Sequence, residues 1–585
     1  MQFSCDGQQV EIDVAPGESL LSVLRERLGV TSVKDGCAPQ GQCGCCTVLV
    51  DGEPRVACVT PATRVAGRTV TTVDGLDAAV RDPLADALLA CGGSQCGFCT
   101  PGIVVRAAAL AARNKTGRVQ LDRALAAHLC RCTGWQTVYD ALETAALETA
   151  ARETDEGNTE GRDLAAAARR AELEGGAAQR VGTEVPLGHG GFADDTAPRD
   201  ALAAVPCPPG ATADVETAAG LDWVVAPTLL EARALAGKVQ GRRTTVDAVP
   251  PLPVPAAPVA GVALATSWVE PAYLEPDASW CVPGGEPATP LANGGAFGGK
   301  AASPVAPAAR ELADRLGQTV RTVFAREDVV RLGPKRPPIA ATAVVVDGAV
   351  VEIDGVVAGD PAPFTAPVVW PYRIEERGTW RQVDIAGPPT SASLRAVGLA
   401  ERAVLVEGAL AAVAADRLAL VRDARAASVL LDTCIAAPSG ALAGARVAMS
   451  DTGTVESVHV RVAAGDPLDE VVLASFTIGA AHMALGWVLT EGIAVDPGTG
   501  EVHDLTIRSF GILRAKDVPP VHVEIVDDPG AALAGASDAV FAAVAAATWN
   551  AVTVAESERP SITPIGTMSN RITTITIPPA AMRGA

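Results

Sequence analysis

The run Cys37-Ala-Pro-Gln-Gly-Gln-Cys43-Gly-Cys45-Cys46, followed by Cys58, constrains this chain more than any other feature. It places four cysteines within ten residues, with Gly41 and Gly44 between them, directly before the apolar run Thr47-Val48-Leu49-Val50. Four thiolates on a glycine-loosened loop braced by a strand suit an iron–sulfur cluster. Such a loop must admit positive φ and bring backbone N–H groups close to sulfur. The plant-type [2Fe–2S] spacing is C-x4-C-x2-C with a fourth cysteine later. Here Cys43-x2-Cys46 fits, Cys58 follows, and five residues rather than four separate Cys37 from Cys43. A structural zinc loop is the alternative, but zinc sites usually pair two C-x2-4-C knuckles. Cluster ligation by Cys37, Cys43, Cys46 and Cys58 is the better reading.

At 585 residues the chain should hold three or four domains of about 100–200 residues each. Aromatic residues make up only 3% of it, so its cores must be built from Ala, Val and Leu. A net charge of −21 and a pI near 4.8 argue against nucleic acid or an anionic membrane surface as partner. Of 14 cysteines, eleven precede residue 133, a segregation unlike that of a secreted disulfide scaffold. The start, Met1-Gln2-Phe3-Ser4, has no basic and apolar signal-peptide pattern. No run of about 18 uncharged apolar residues predicts a membrane span. The expected location is cytoplasmic.

Residues 1–77 read as a small α+β unit. Val10, Ile12 and Val14 alternate like a strand, and Leu20, Leu21, Leu24 and Leu28 recur at helical spacing before Gly29. Thr47–Val50, a hairpin at Asp51-Gly52 and a strand ending at Cys58 complete a ferredoxin-like arrangement. Residues 78–151 switch to helical periodicity. Gln95-Cys96-Gly97-Phe98-Cys99-Thr100-Pro101-Gly102 opens a helix, with Thr100 expected as N-cap and Pro101 at N1. Cys96 and Cys99, with Cys130 and Cys132, supply four thiolates at helix ends, enough for a second cluster. A redox dithiol would account for Cys96 and Cys99 but not for the other pair.

Those motifs, with Cys130-Arg131-Cys132-Thr133-Gly134, make the segment resemble the iron–sulfur part of the xanthine dehydrogenase/aldehyde oxidase family of molybdenum hydroxylases. The resemblance implies a β-grasp [2Fe–2S] domain, then a four-helix [2Fe–2S] domain, with a molybdopterin cofactor beside the second cluster. It also implies that Gln95 and Cys132 lie close to the pterin. The first loop departs from the family by its extra residue and by Cys45, where a small residue is usual. Which of Cys43, Cys45 and Cys46 ligate is therefore open, with Cys43 and Cys46 kept.

Residues 152–185 read as a charged, Ala/Gly-rich linker, with an exposed helix expected around Leu164 to Leu173. The Pro-rich stretch Val249 to Pro258 reads as a surface loop. From 186 to 585 the pattern is mixed α/β, with strands at Val344–Val346, Val350–Val351 and Val458–Val462, and helices at Glu407–Leu420 and Ala539–Val552. The overall expectation is an α+β multidomain chain. Asn293-Gly294-Gly295-Ala296-Phe297-Gly298-Gly299-Lys300 is a glycine-rich loop able to turn N–H groups onto an anion. It resembles the family's GGxFGGK molybdopterin motif, which implies cofactor contacts at Gly295, Phe297, Gly298 and Gly299. Arg321 and the run Phe324 to Asp328 continue the match. Leu394-Arg395-Ala396-Val397-Gly398 with Glu407 resembles a family segment whose Arg faces the substrate pocket, and Gly479 to Gly486, with His482, resembles a later helix.

Two family hallmarks are absent. No Gly-Gln-Gly occurs, and the stretch from Pro276 to Gly294 is short for the usual Gln-bearing pterin loop. The family's Gly-x-Gly-Glu, whose Glu is a general base, finds its nearest counterpart in Gly535-Ala536-Ser537-Asp538. Asp538 is one methylene shorter, and equally suits the first turn of the Ala-rich helix that follows. The leading expectation is a xanthine dehydrogenase-like, molybdenum-dependent oxidoreductase that hydroxylates an N-heterocycle or aldehyde, with Asp538 as base and Arg395 stabilising negative charge. Electrons would leave through two [2Fe–2S] clusters to an external acceptor, a flavin-containing subunit or another protein. A homo-oligomer is compatible with the resemblance. The alternative is a catalytically impaired electron-transfer or assembly protein carrying the two clusters.

Overall fold

The computed structural model describes residues 1–558 except 116, 152–160, 209, 211–212, 238–245 and 292–294. The charged run Glu153 to Asn158 and the pair Asn293-Gly294 lie outside the described residues.

The first sheet runs Gln8–Glu11, Gln2–Cys5, Thr69–Thr71, Thr47–Val50, Glu53–Val56, parallel between its second and third strands and antiparallel elsewhere. Asp51 and Gly52 take φ of 50° and 76°, the left-handed pair that lets a two-residue turn follow the strand twist. The helical turns Leu20–Ser22 and Val23–Arg27 bury Leu20, Leu21, Val23 and Leu24 against this sheet. The second strand stops at Glu11, short of Val14. Cys58 sits on a 3-10 turn, Ala57–Val59, just beyond its strand.

Four helices follow, Ala78–Ala90, Thr100–Ala111, Arg118–Leu125 and Gln136–Ala151. Thr100 is not the cap of its helix. The Cys99 carbonyl already accepts the Ile103 N–H at 3.3 Å, so Cys99 takes the cap position and its thiol stands at the helix end. The Thr100 hydroxyl instead meets Ser94 Oγ at 3.1 Å. The helix Leu164–Gly175 also differs from its expected exposure. Ala167 and Ala171 pack with Val472 and Phe476 of a later helix, and Arg170 and Glu174 are buried with them.

Beyond a five-stranded mixed sheet spanning residues 202–323, the chain builds one supersecondary unit twice. The first is Gly261–Ala265, Ile339–Val346, Val350–Val357 and Glu375–Gln382, followed by the helix Leu399–Ala412. The second is Thr433–Ala436, Leu442–Met449, Val455–Ala463 and Val521–Ile525, followed by the helix Ala536–Glu558. In both, two antiparallel pairings precede one parallel pairing. The closing helices share one core with Glu470–Leu489, through residues such as Leu405, Ala409, Leu485, Val540 and Val544. The expected helix Glu407–Leu420 is thus shifted: it runs Leu399–Ala412, breaks where Ala414 turns left-handed (φ 51°), and is followed by a short turn, Arg417–Leu420. Two helices, Glu470–Leu489 and Ala536–Glu558, hold stretches long and apolar enough to cross a bilayer, yet 89% and 72% of those stretches are buried inside the chain. Here they are core helices.

Candidate functional site

The cysteines gather into two sets. In the first, Cys37 Sγ accepts the backbone N–H groups of Gln42 and Cys43, both at 3.3 Å, and Cys46 Sγ accepts that of Cys58 at 3.4 Å. The Cys37 thiol also meets those of Cys43 and Cys58, and these bonds hold it well below the usual thiol value. A stabilised thiolate is what iron ligation requires. In the second set Cys132 Sγ lies 3.6 Å from Cys96 Sγ, and Cys99 pairs with Cys130. Cys99 and then the Thr133 hydroxyl bring Cys130 down to about 6. Among the described residues no three such ligating side chains converge on a single ion position. The second set is instead arranged as two thiol pairs, the division that two irons with two protein ligands each call for. Cys45 is buried, and its thiol feels Cys37 and Cys46 on one side and Cys96 on the other, so it stands between the sets. Beside it Gly102 is obligatory, since a Cβ there would come within 2.3 Å of the Gly44 carbonyl. Buried His128, with neither ring nitrogen hydrogen-bonded, fills the space over Gly44. Burial drives it down to about 3, so it is neutral.

The structure brings Arg395 and Asp538 together across the two repeated units. Arg395 precedes the helix Leu399–Ala412, Asp538 lies in the first turn of Ala536–Glu558, and Nε stands 3.6 Å from Oδ1. Arg395 is buried while the Asp538 side chain is 39% accessible, so the carboxylate is the open member of the pair. The guanidinium lies over the Phe297 ring, 4.8 Å from its centroid, and the Arg395 N–H donates to the Phe297 carbonyl at 3.0 Å. Ala296, Phe297 and Ala396 all have φ between 50° and 57°. Left-handed non-glycine residues cost about 1–3 kcal/mol each and concentrate at functional sites. Gly298, at φ 86°, cannot be replaced without collision, because a Cβ would sit 1.6 Å from the Ser393 carbonyl. Here Gly298 and Gly299 make a loop-to-loop and loop-to-Tyr273 fit, and Lys300 pairs with Glu275 at 2.7 Å.

Gln95 ties the second cysteine set to the helix Glu470–Leu489, whose Met483 sulfur lies 3.5 Å from the Arg395 guanidinium. The Gln95 amide donates to the Cys132 carbonyl at 2.9 Å and to Ser475 Oγ at 3.0 Å. A Cβ on Gly479 would stand 1.8 Å from that same carbonyl, so the helix Glu470–Leu489 needs glycine there. Two residues expected nearby serve the core instead. Glu407 accepts from Tyr372 Oη at 2.6 Å and from the Cys434 N–H at 3.3 Å, and His482 Nε2 meets the Leu513 carbonyl at 3.1 Å.

Several site residues escaped sequence reasoning. Arg336 donates to the Arg395 and Ala396 carbonyls at 2.8 and 3.1 Å, pairs with Glu401 at 2.6 Å and stacks 4.5 Å from the Trp487 ring, clamping the arginine loop. Arg131, between two cysteines, forks onto Glu491 in a fully buried ion pair. Glu174 accepts the Ser537 N–H at 2.8 Å and the Arg170 guanidinium at 3.0 Å, so the expected linker supplies a borrowed cap beside Asp538. Burial lifts the Asp538 carboxyl above its ordinary value, Arg395 opposes this, and the Glu174 charge adds to it. The i,i+4 spacing of Arg170 and Glu174 was the one readable signal.

Residues 3–67 match a 2Fe-2S iron-sulfur cluster binding domain, and residues 72–143 match a [2Fe-2S] binding domain. Isoquinoline 1-oxidoreductase subunit alpha from Brevundimonas diminuta is 39% identical over 148 residues, 25% of this chain and 97% of that protein. The chain belongs to the xanthine dehydrogenase/aldehyde oxidase family of molybdenum hydroxylases. A second relative, the aldehyde oxidoreductase of Megalodesulfovibrio gigas, is 45% identical over 135 residues, 22% of this chain but 15% of that protein. Beyond the iron–sulfur quarter the likeness is one of fold. The aldehyde oxidoreductase structure from Desulfovibrio gigas superposes with a TM-score of 0.70 at 16% identity, over 93% of this chain and 97% of that one.

This family implies a molybdopterin cofactor, and the donor set near Arg395 fits such a group. Glu270 Oε1, Trp487 Nε1 and Ser537 Oγ, all in buried residues, have no hydrogen-bond partner among the described residues. The Lys335 ammonium, 2.8 Å from Glu270 Oε2, pairs with the other oxygen of that carboxylate. Buried polar atoms left this way call for a polar ligand. The space enclosed there by described residues is about 30 Å³, roughly the room of one water molecule.

Proposed function

We propose that the chain is a xanthine dehydrogenase-like hydroxylase, taking an N-heterocycle or aldehyde and passing electrons through two [2Fe–2S] clusters to an external acceptor. The observation that carries this is the Arg395–Asp538 pair at 3.6 Å over Phe297, beside the helix Glu470–Leu489 to which Gln95 ties the Cys132 carbonyl. Molybdopterin bound here supplies two-electron oxidation at carbon, and Gln95, Phe297, Gly298 and Glu270 are the residues that would hold it. Asp538, 39% accessible and raised in pKa, takes the proton that must leave as the new C–O bond forms. Arg395, desolvated and aimed by Arg336, holds the substrate atom on which negative charge develops. Cys96, Cys99, Cys130 and Cys132 ligate the inner cluster, and Cys37, Cys43, Cys46 and Cys58 the outer. The domain limits 1–77, 78–151, 152–185 and 186–585 belong to the same reading, with the helix Leu164–Gly175 of the third supplying Glu174 beside Asp538.

Elemental analysis of the purified chain tests this. About four iron atoms and one molybdenum per chain are expected. Iron alone would leave the second reading, a catalytically impaired electron carrier, which the missing glutamine loop and the Glu-to-Asp change favour.

A further inference from the structure

A cleft of about 390 Å³ opens beside the first cysteine set. Its floor is Ala38, Pro39 and the run Cys58 to Pro61, and its opposite wall is the helix Leu229–Leu235. Of the candidate ligands only Cys58 lines it, so the cleft lies outside the seat of the cluster and against its edge. The volume falls within the range of small-molecule sites, about 300–1,000 Å³. Val59 and Leu230 line it as exposed apolar side chains.

The basic side chains around it are already paired. Arg25 is bonded to Asp194 and Asp195 at 2.7 and 3.0 Å, and Arg233 to Asp35 at 3.2 Å. An anionic acceptor would therefore find no free cation there, and would approach a chain of net charge −21. One donor is left over among the described residues, the buried Nε–H of Arg233, which finds no hydrogen-bond partner there. Apolar side chains at Val59, Leu229 and Leu230 among polar ones, one unspent donor and a floor beside Cys58 together suit a flat, neutral molecule bearing a carbonyl.

We propose that this cleft binds a quinone, which takes electrons directly from the outer cluster. The step balances as two one-electron oxidations: two [2Fe–2S]⁺ clusters become two [2Fe–2S]²⁺, and quinone with two solvent protons becomes hydroquinone. It rests on the cluster reading but not on Asp538 chemistry. A protein acceptor would need a broader face than this concave slot.

The test uses holoprotein reduced with dithionite and mixed with menadione, following the return of cluster absorbance. The reoxidation rate should saturate with menadione. Leu230→Trp, which fills the slot, should lower the rate at limiting menadione by about tenfold, or about 1.4 kcal/mol of binding, while ferricyanide reoxidation changes less than about twofold. Arg233→Met should weaken menadione without filling the space. Equilibrium dialysis of menadione against oxidised holoprotein gives a second readout, in which binding seen in the parent should be lost in Leu230→Trp. A rate linear in menadione and equal in both proteins would overturn the proposal and leave a protein acceptor. Asp538→Ala protein should reoxidise normally, which separates failure here from failure of the hydroxylase reading.

Discussion

Arg395 Nε stands 3.6 Å from Asp538 Oδ1, although the two residues are 143 positions apart and belong to different copies of one folding unit. Each sits where a long helix begins, so the pairing depends on how two helices pack. The distance leaves room for a substrate atom to share the arginine while the carboxylate stays open.

Asp538→Ala should abolish substrate-dependent bleaching of the clusters, and Arg395→Met should slow it by about 10²–10³-fold. Both should retain iron content. Unchanged bleaching in Asp538→Ala would remove that carboxylate from the reaction.

Glu174 gives the pH test. Its charge adds to the elevation of the Asp538 carboxyl, and a base works only when ionised. Activity should therefore fall as pH drops through a value above the ordinary carboxyl range. Glu174→Gln keeps an acceptor for the Ser537 N–H but removes the charge, so this acidic limb should move to lower pH. Arg25, Arg321 and other distant pairs should leave it in place. Glu174→Ala strands buried Arg170 and should cost about 3–5 kcal/mol in chemical denaturation.

Much of the site was legible because its chemistry is written locally. Cysteine spacing marked both thiol sets, and glycine density marked the Phe297 loop. Arg336, Glu401 and Glu491 left no such trace, since each acts on a partner 59 to 360 residues away that only packing supplies, and Glu174 showed only its i,i+4 spacing from Arg170. The Thr100 cap failed for a different reason: residue preference favours Thr, but the Cys99 carbonyl starts the hydrogen-bond ladder one residue sooner. The repeated sheet-and-helix unit is likewise a matter of connectivity, which no shared motif announces.

Among the cysteines, Cys99→Ser should erase one of two reduced-state EPR signals, and Cys46→Ser the other. Cys45→Ala should keep both, because the Cys45 thiol meets Cys43 and not Cys37 or Cys58. Loss of the outer signal in Cys45→Ala would exchange its role with that of Cys46.

Gly479→Ala places a methyl 1.8 Å from the Cys132 carbonyl, where neither backbone can yield cheaply. A loss of about 1–3 kcal/mol and a displaced inner-cluster EPR signal are expected. Wild-type stability together with an unaltered spectrum would contradict the close approach.

The cap on Ala536–Glu558 bears on how the chain is put together. Its sister helix Leu399–Ala412 draws a carboxylate from its own first turn, Glu401, to the Gly398 N–H at 2.8 Å, whereas this one takes Glu174 from the segment that follows the iron–sulfur part. Covalent fusion therefore does more than tether an electron carrier to a pocket. A chain cut within 152–163 keeps Glu174 on the pocket-bearing piece, while a cut after 175 hands the helix end of Asp538 to a subunit that can dissociate. Where such a protein can be divided is decided by one carboxylate.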